Sequence, residues 1–138
     1  MSKPIYHAES SARRHGGKME DYIEIHNFMD SSKGAMPDNR HRTLTHNSWF
    51  ISTVIEKVFG FYLVNSNGKK VSTRQIAEEH VLEDFGGQFI PTAQDYIENM
   101  EIMPWMNSGL SDKPNSAKKL KGSMKGLKIN IKNAEIVE

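Results

Sequence analysis

The chain has 138 residues, a formal net charge of +1, 37% apolar and 25% charged residues, which is one domain's length of rather polar sequence with a small core. It contains no cysteine, so disulfide scaffolds, zinc fingers, iron–sulfur clusters and thiol nucleophiles are excluded, and any metal must be held by nitrogen and oxygen ligands. No apolar run approaches the ~20 residues of a membrane span, and Met1 to Tyr6 lacks the apolar centre of a signal peptide, so a soluble cytoplasmic protein with no membrane contact is expected.

The near neutrality conceals an asymmetry. Residues 1–110 carry 11 Lys and Arg against 14 Asp and Glu, whereas residues 111–138 carry 7 Lys against 3 acids. A run of turn formers from Asn107 to Ser116 marks the change. The expected organisation is a domain over 1–106, a linker over 107–116 and a Lys-rich tail over 117–138.

In chain order, an extended start through Lys3, Pro4 and Tyr6 leads to a short helix over 8–15, stopped by Gly16 and Gly17. A second helix is expected over 19–31, where Met19, Tyr22, Ile23, His26 and Met29 recur at three- and four-residue intervals. Gly34 and Pro37 make 31–38 a loop. The strongest periodicity predicts one core helix over 38–59, with Leu44, Ile51, Val54, Ile55 and Val58 on a single stripe. After Gly60 the period changes to two short β-favouring runs around Asn67-Gly68, a hairpin. Ser72 and Gln75 have capping-box spacing and open a helix ending at Phe85, before Gly86 and Gly87. Pro91, Thr92 and Asp95 start another helix, running to about Met100. In the tail, Leu127 to Lys132 alternates like a strand. The predicted fold is mainly α with one β-hairpin, a compact helical bundle with a basic C-terminal extension.

All six histidines fall within the first 80 residues. His26 and Asp30 are four apart, as are His80 and Asp84, a spacing that aims an imidazole and a carboxylate the same way from one helix. His41 lies about 80° from the centre of the Ile51 stripe, at the edge of the buried face. His46 lies about 140° away on the other side, so a continuous helix turns it from a site that His41 faces, unless the helix starts late. The expected metal centre is therefore His26, Asp30, His41, His80 and Asp84, with His7 as an extra ligand from the N-terminal strand. Such a set suits a divalent Zn, Mn, Fe or Ni ion, whose open positions activate water for hydrolysis. Arg42 and Arg74 are the candidates to hold a substrate phosphate, with Arg40 and Lys33 nearby. The bland alternative is two local His–Asp pairs on half-buried helix faces, each contributing a few tenths of a kcal/mol.

Other motifs weigh less. His41-Arg-Thr43 and His46-Asn-Ser48 have the His-x-Thr/Ser form of two-histidine phosphodiesterases, but overlap one expected helix rather than two strands. Ser10 and Ser11 lack the strand–turn–helix setting of a nucleophile and read as capping or oxyanion-binding residues. Trp49 and Trp105 read as core and contact residues. The tail lysines are expected either to contact nucleic acid or a protein partner, or to form a solvated extension.

Tyr6-His-Ala-Glu-Ser-Ser11, Asp21-Tyr22, Ile25-His26, Asp30-Ser-Ser-Lys33, Asp38-Asn-Arg-His-Arg42, His46, Arg74, Glu79-His80-Val81 and Asp84 together resemble a small His/Asp-rich protein family of tailed phages, T4-type phages among them, and of bacteria. The resemblance covers roughly residues 5–100 and implies a phage or bacterial cytoplasmic setting with a shared His/Asp pattern. A looser similarity to HD-type metal-dependent phosphohydrolases arises from the helical His and Asp ligands, without the adjacent His-Asp dipeptide of that superfamily. The leading expectation is a metal-binding protein, extended to a metal-dependent hydrolase of nucleotide or nucleic acid phosphoesters. Its alternative is a non-enzymatic phage accessory or structural protein, with a structural His/Asp cluster and a macromolecular partner.

Overall fold

A computed structural model of the chain describes residues 3–107, and the Lys-rich tail with its expected strand over 127–132 lies outside them. The chain divides after Asn99 into two units. In the second, the described residues hold one short helix, α7 (Pro104–Asn107).

The first unit begins with α1 (Pro4–His15). Proline at the first helical position has its φ preset and needs no N–H partner, so the helix starts at Pro4 rather than after the expected extended segment. His7 consequently sits on a helix, not a strand. Arg13, Arg14 and His15 occupy the last turn, where positive charge complements the helix dipole. The second expected helix is split: a 3-10 turn (Met19–Asp21), α2 (Ile23–Met29) and a second 3-10 turn (Ser31–Gly34), which occupies part of the expected loop.

The hairpin lies where expected. β1 (Tyr62–Val64) and β2 (Lys70–Ser72) pair antiparallel, with Leu63 opposite Val71. Buried Asn65 docks its tip: its side-chain amide donates to the His15 carbonyl and Tyr22 hydroxyl, and its oxygen accepts from the Asn67 and Lys69 amides. Gly17 passes beside it at φ +77°, where an added Cβ would lie 2.5 Å from Asp21 Oδ2 and 3.0 Å from Asn65 Cβ. Gly17→Ala should therefore cost about 1–3 kcal/mol through the positive φ alone, read as a lowered urea midpoint. Gly34→Ala, which meets nothing within 4 Å at ordinary φ, is the control.

Ser72 accepts from the Gln75 amide and starts α5 (Thr73–Asp84). The reciprocal Thr92–Asp95 capping box starts α6 (Ala93–Ile97), shorter than expected. Both N-termini are those legible in the sequence.

The single helix expected over 38–59 is broken. A 3-10 turn (Asn39–His41) leads into α3 (Arg42–Thr45), which ends at His46 with ψ +53°. Asn47 then caps a new helical segment, accepting from the Phe50 amide while its side-chain nitrogen donates to the Thr43 carbonyl. That segment runs as a π turn (Phe50–Ile55) into α4 (Glu56–Phe59). The break and the wider π turn change the phase of the stripe. Ile51 and Ile55 are buried, but Leu44 and Val58 face outwards, as does Trp49, which is 57% exposed rather than in the core.

Helices α1, α2 and α5 pack mutually. Their inner stripes carry His7, Ala8 and Ser11; Ile25, His26 and Met29; and Thr73, Ile76, Ala77, His80 and Val81. Among the described residues, 12 apolar side chains, Pro91 included, and 12 polar or charged ones are buried. Burial on this scale is tolerable only where polar groups find partners, so the interior is organised around a polar cluster as much as around an apolar core.

Candidate metal centre

Five of the six histidines, His7, His26, His41, His46 and His80, are at most 2% exposed. His15 sits beside Tyr22 and pairs with Glu79 at 2.8 Å. The five buried rings come from α1, α2, the Asn39–His41 turn, the end of α3 and α5. Two sets of donor atoms converge: His46, His80, Asp30 and Asp84, and His7, His26 and His80, with the atoms of each set within 4.8 Å of one another.

In the first set, His46 Nε2 lies 2.9 Å from Asp84 Oδ2 and 3.7 Å from Asp30 Oδ1. His80 Nε2 lies 3.2 Å from Asp30 Oδ1 and 3.6 Å from Asp84 Oδ2. Ligand atoms about 2.0–2.2 Å from a tetrahedral ion stand about 3.3–3.6 Å apart, so these four edges bracket the size of a tetrahedral site. The residues fit a divalent ion held by two imidazoles and two carboxylates. Asp30 and Asp84 side chains are 5% and 2% exposed, and their charges are countered by Lys33 at 3.5 Å from Asp30 and Arg42 at 4.0 Å from Asp84.

Of the two expected i,i+4 pairs, His80 and Asp84 converge in one donor set, whereas His26 and Asp30 do not. Asp30 follows the last residue of α2 as its C-cap, at φ −95° and ψ 0°, and reaches His80. His26 instead bonds Ser11 Oγ through Nε2 at 2.8 Å and His80 Nδ1 through Nδ1 at 2.9 Å. His80 and Asp84 do share a set. His7 stacks on His80 with centroids 3.9 Å apart, its Nδ1 donating to Glu83 at 2.7 Å. Glu83 also accepts from Ser10 Oγ.

His46, which a continuous helix would turn away, is a member of the first set because the chain breaks at Asn47. Thr45 Oγ1 lies 2.9 Å from its Nδ1 and donates to the Met29 carbonyl, while Tyr96 donates to the His46 carbonyl at 2.8 Å. His41 lies beside the cluster, edge-on to His46 at 5.6 Å between centroids, with Nδ1 2.7 Å from Ser32 Oγ. Arg42 covers the Phe85 ring at 5.0 Å. Arg74 is paired with Glu78 at 3.4 Å on an exposed part of α5, and Arg40 with Asp38 at 2.7 Å.

Asn47 is the sequence signal for the position of His46, since asparagine is a preferred N-cap and interrupts a helix that the apolar period alone would continue. Ser11 and Glu83 carry no such signal, because their partners His26 and His7 are remote in sequence.

Burial lowers the His26 pKa to about 3, helped by repulsion from His80 and His7, and burial likewise lowers His80 and His41. Burial also opposes charge on His7, but the facing carboxylates of Asp84, 3.3 Å from Nε2, and Glu83, 2.7 Å from Nδ1, outweigh it and raise the ring to about 9. Burial would raise Asp30 and Asp84; bonds from His80 to Asp30, and from His46 and His7 to Asp84, hold both below the usual carboxylate range.

A family model described as a domain of unknown function, DUF6915, matches residues 2–106. The chain belongs to this family. No curated protein and no solved structure matches it. The matched region of the DUF6915 chain contains every residue of the cluster. No helix among its described residues is long and apolar enough to cross a membrane.

Proposed function

We propose that this DUF6915 domain binds a divalent transition-metal ion through His46, His80, Asp30 and Asp84. The observation that carries the reading is the convergence of four donor atoms from three separate parts of the chain at tetrahedral spacing. Imidazole and carboxylate donors suit Zn, Mn, Fe or Ni. Thr45 beside the outer nitrogen of His46 supplies the kind of second-shell partner that orients metal-binding histidines.

All four ligand side chains are at most 5% exposed, which favours a closed ion that ties α2, the end of α3 and α5 together. In this reading the domain is a metal-stabilised module of a phage or bacterial protein, serving a macromolecular partner. Arg42 favours a second reading. Its side chain, 14% exposed, brings the guanidinium to 4.0 Å from Asp84, and its buried Nε has no hydrogen-bond partner. There it could hold the phosphate of a phosphoester on which the ion acts as a Lewis acid. Arg74, paired elsewhere, has no part in it.

Metal analysis of protein purified without chelators tests the first reading. Bound metal should be present in wild type and lower by one ion per chain in folded Asp30→Asn and His46→Ala variants; equal metal content in all three would sink it. Turnover of an activated phosphodiester that disappears in Arg42→Ala, with metal retained, would select the hydrolase.

A further inference from the structure

The second donor set has its own logic. His7, His26 and His80 are each at most 2% exposed. Two of the three have their outer nitrogen engaged: Glu83 accepts from His7 Nδ1, and Ser11 Oγ bonds His26 Nε2. This is how second-shell groups orient metal-binding imidazoles, leaving the other nitrogen as donor. His26 thereby presents Nδ1, 2.9 Å from His80 Nδ1, a separation that two donors about 2.05 Å from one ion make at close to a right angle.

A purely hydrogen-bonded cluster explains part of this arrangement. The chain Ser11, His26, His80, Asp30 can run with neutral rings, Ser11 donating to His26 Nε2, His26 Nδ1 to His80 Nδ1, and His80 Nε2 to Asp30. It leaves His7 Nε2 with no hydrogen bond, only the Asp84 Oδ1 contact at 3.3 Å. That atom is one of three such buried side-chain atoms among the described residues, the others being His41 Nε2 and Arg42 Nε. A buried nitrogen without a hydrogen bond costs about 1–3 kcal/mol, and the carboxylate that faces this one belongs to a ligand of the first ion in the reading above.

We infer that His7, His26 and His80 form a second cation site, selective for an imidazole-loving divalent ion such as Zn or Cu, and that His80 is shared with the first site. The inference rests on the metal reading above, because His80 Nε2 serves the first ion and Nδ1 the second. With both ions bound, His80 bridges them as an imidazolate. Its single ring proton leaves to solvent, and His26 carries its proton on Nε2 and donates to Ser11 Oγ.

Equilibrium dialysis of the full chain against Zn2+ tests this, with folding checked by circular dichroism. Two ions per chain are expected for wild type, falling to one in His26→Gln and in His7→Gln; either variant suffices if the other fails to fold. One ion in wild type overturns the inference and leaves the first site standing. None overturns both. Two ions retained in both folded variants place the second ion elsewhere and also overturn it. Loading with Cu2+ reads the shared ring: two copper ions should give a spin-coupled, attenuated electron paramagnetic resonance signal, restored in His26→Gln. Two full uncoupled signals in wild type would refute the bridge.

Discussion

Saturating the metal-free protein with Zn2+ should raise its melting temperature by about 10–20 °C. An ion present at 100 times its dissociation constant stabilises the state that binds it by about 2.7 kcal/mol, and in a domain near 100 residues each kcal/mol is worth about 4–8 °C. The gain is large because the ion joins elements that otherwise meet through charged groups: Asp30 after α2, His46 after α3, and His80 and Asp84 on α5. The two buried carboxylates are set against Lys33 at 3.5 Å, Arg42 at 4.0 Å and the His7 ring at 3.3 Å, and a divalent ion would compensate them at shorter range. Asp84→Asn keeps the side chain's shape and removes one charge, so it should abolish most of the shift. An unchanged melting temperature at millimolar Zn2+, Mn2+ and Ni2+ would contradict the assignment.

Acid should unfold the metal-free protein well before its carboxylates reach their ordinary range. His26 titrates near 6.5 when unfolded but at about 3 when folded, so the folded state resists its protonation. The stability this contributes is present above pH 6.5 and is lost as pH falls from there towards 3, on the order of 5 kcal/mol in all. Asp30 and Asp84, also lowered, add to the loss below about pH 4. His7 has the opposite sign. Its folded value of about 9 contributes roughly 3 kcal/mol that is present below pH 6.5 and lost as pH rises through 9. Urea midpoints measured from pH 4 to 10 should therefore peak near neutrality, with the acid slope flattened in His26→Gln and the alkaline slope in His7→Gln. A profile flat from pH 7 to 4 would refute the buried neutral imidazole.

The readable features were those set by local chemistry. Gly60 and Asn67-Gly68 marked the hairpin, and Ser72 and Thr92 marked two helix starts, because caps and turns are decided by a few adjacent residues. The i,i+4 spacing singled out His26, Asp30, His80 and Asp84, and each lies on or just beyond an inward helix face. What spacing could not supply was partnership: Asp30 meets His80, not His26, because the helix ends first. His46 was hidden by the strength of the apolar period across it, although Asn47 carried the signal for a break. The bond of Ser11 on α1 to His26 on α2 depends on how the helices pack, which no pattern within one helix contains.

The most direct measurement is the X-ray absorption spectrum of the Zn-loaded protein at the zinc edge, with His7→Gln used to isolate the first site. Four nitrogen and oxygen neighbours at about 2.0–2.2 Å, with the outer-shell scattering of two imidazoles, are expected from His46, His80, Asp30 and Asp84. A six-oxygen shell without imidazole scattering would place the ion outside the cluster and contradict the account.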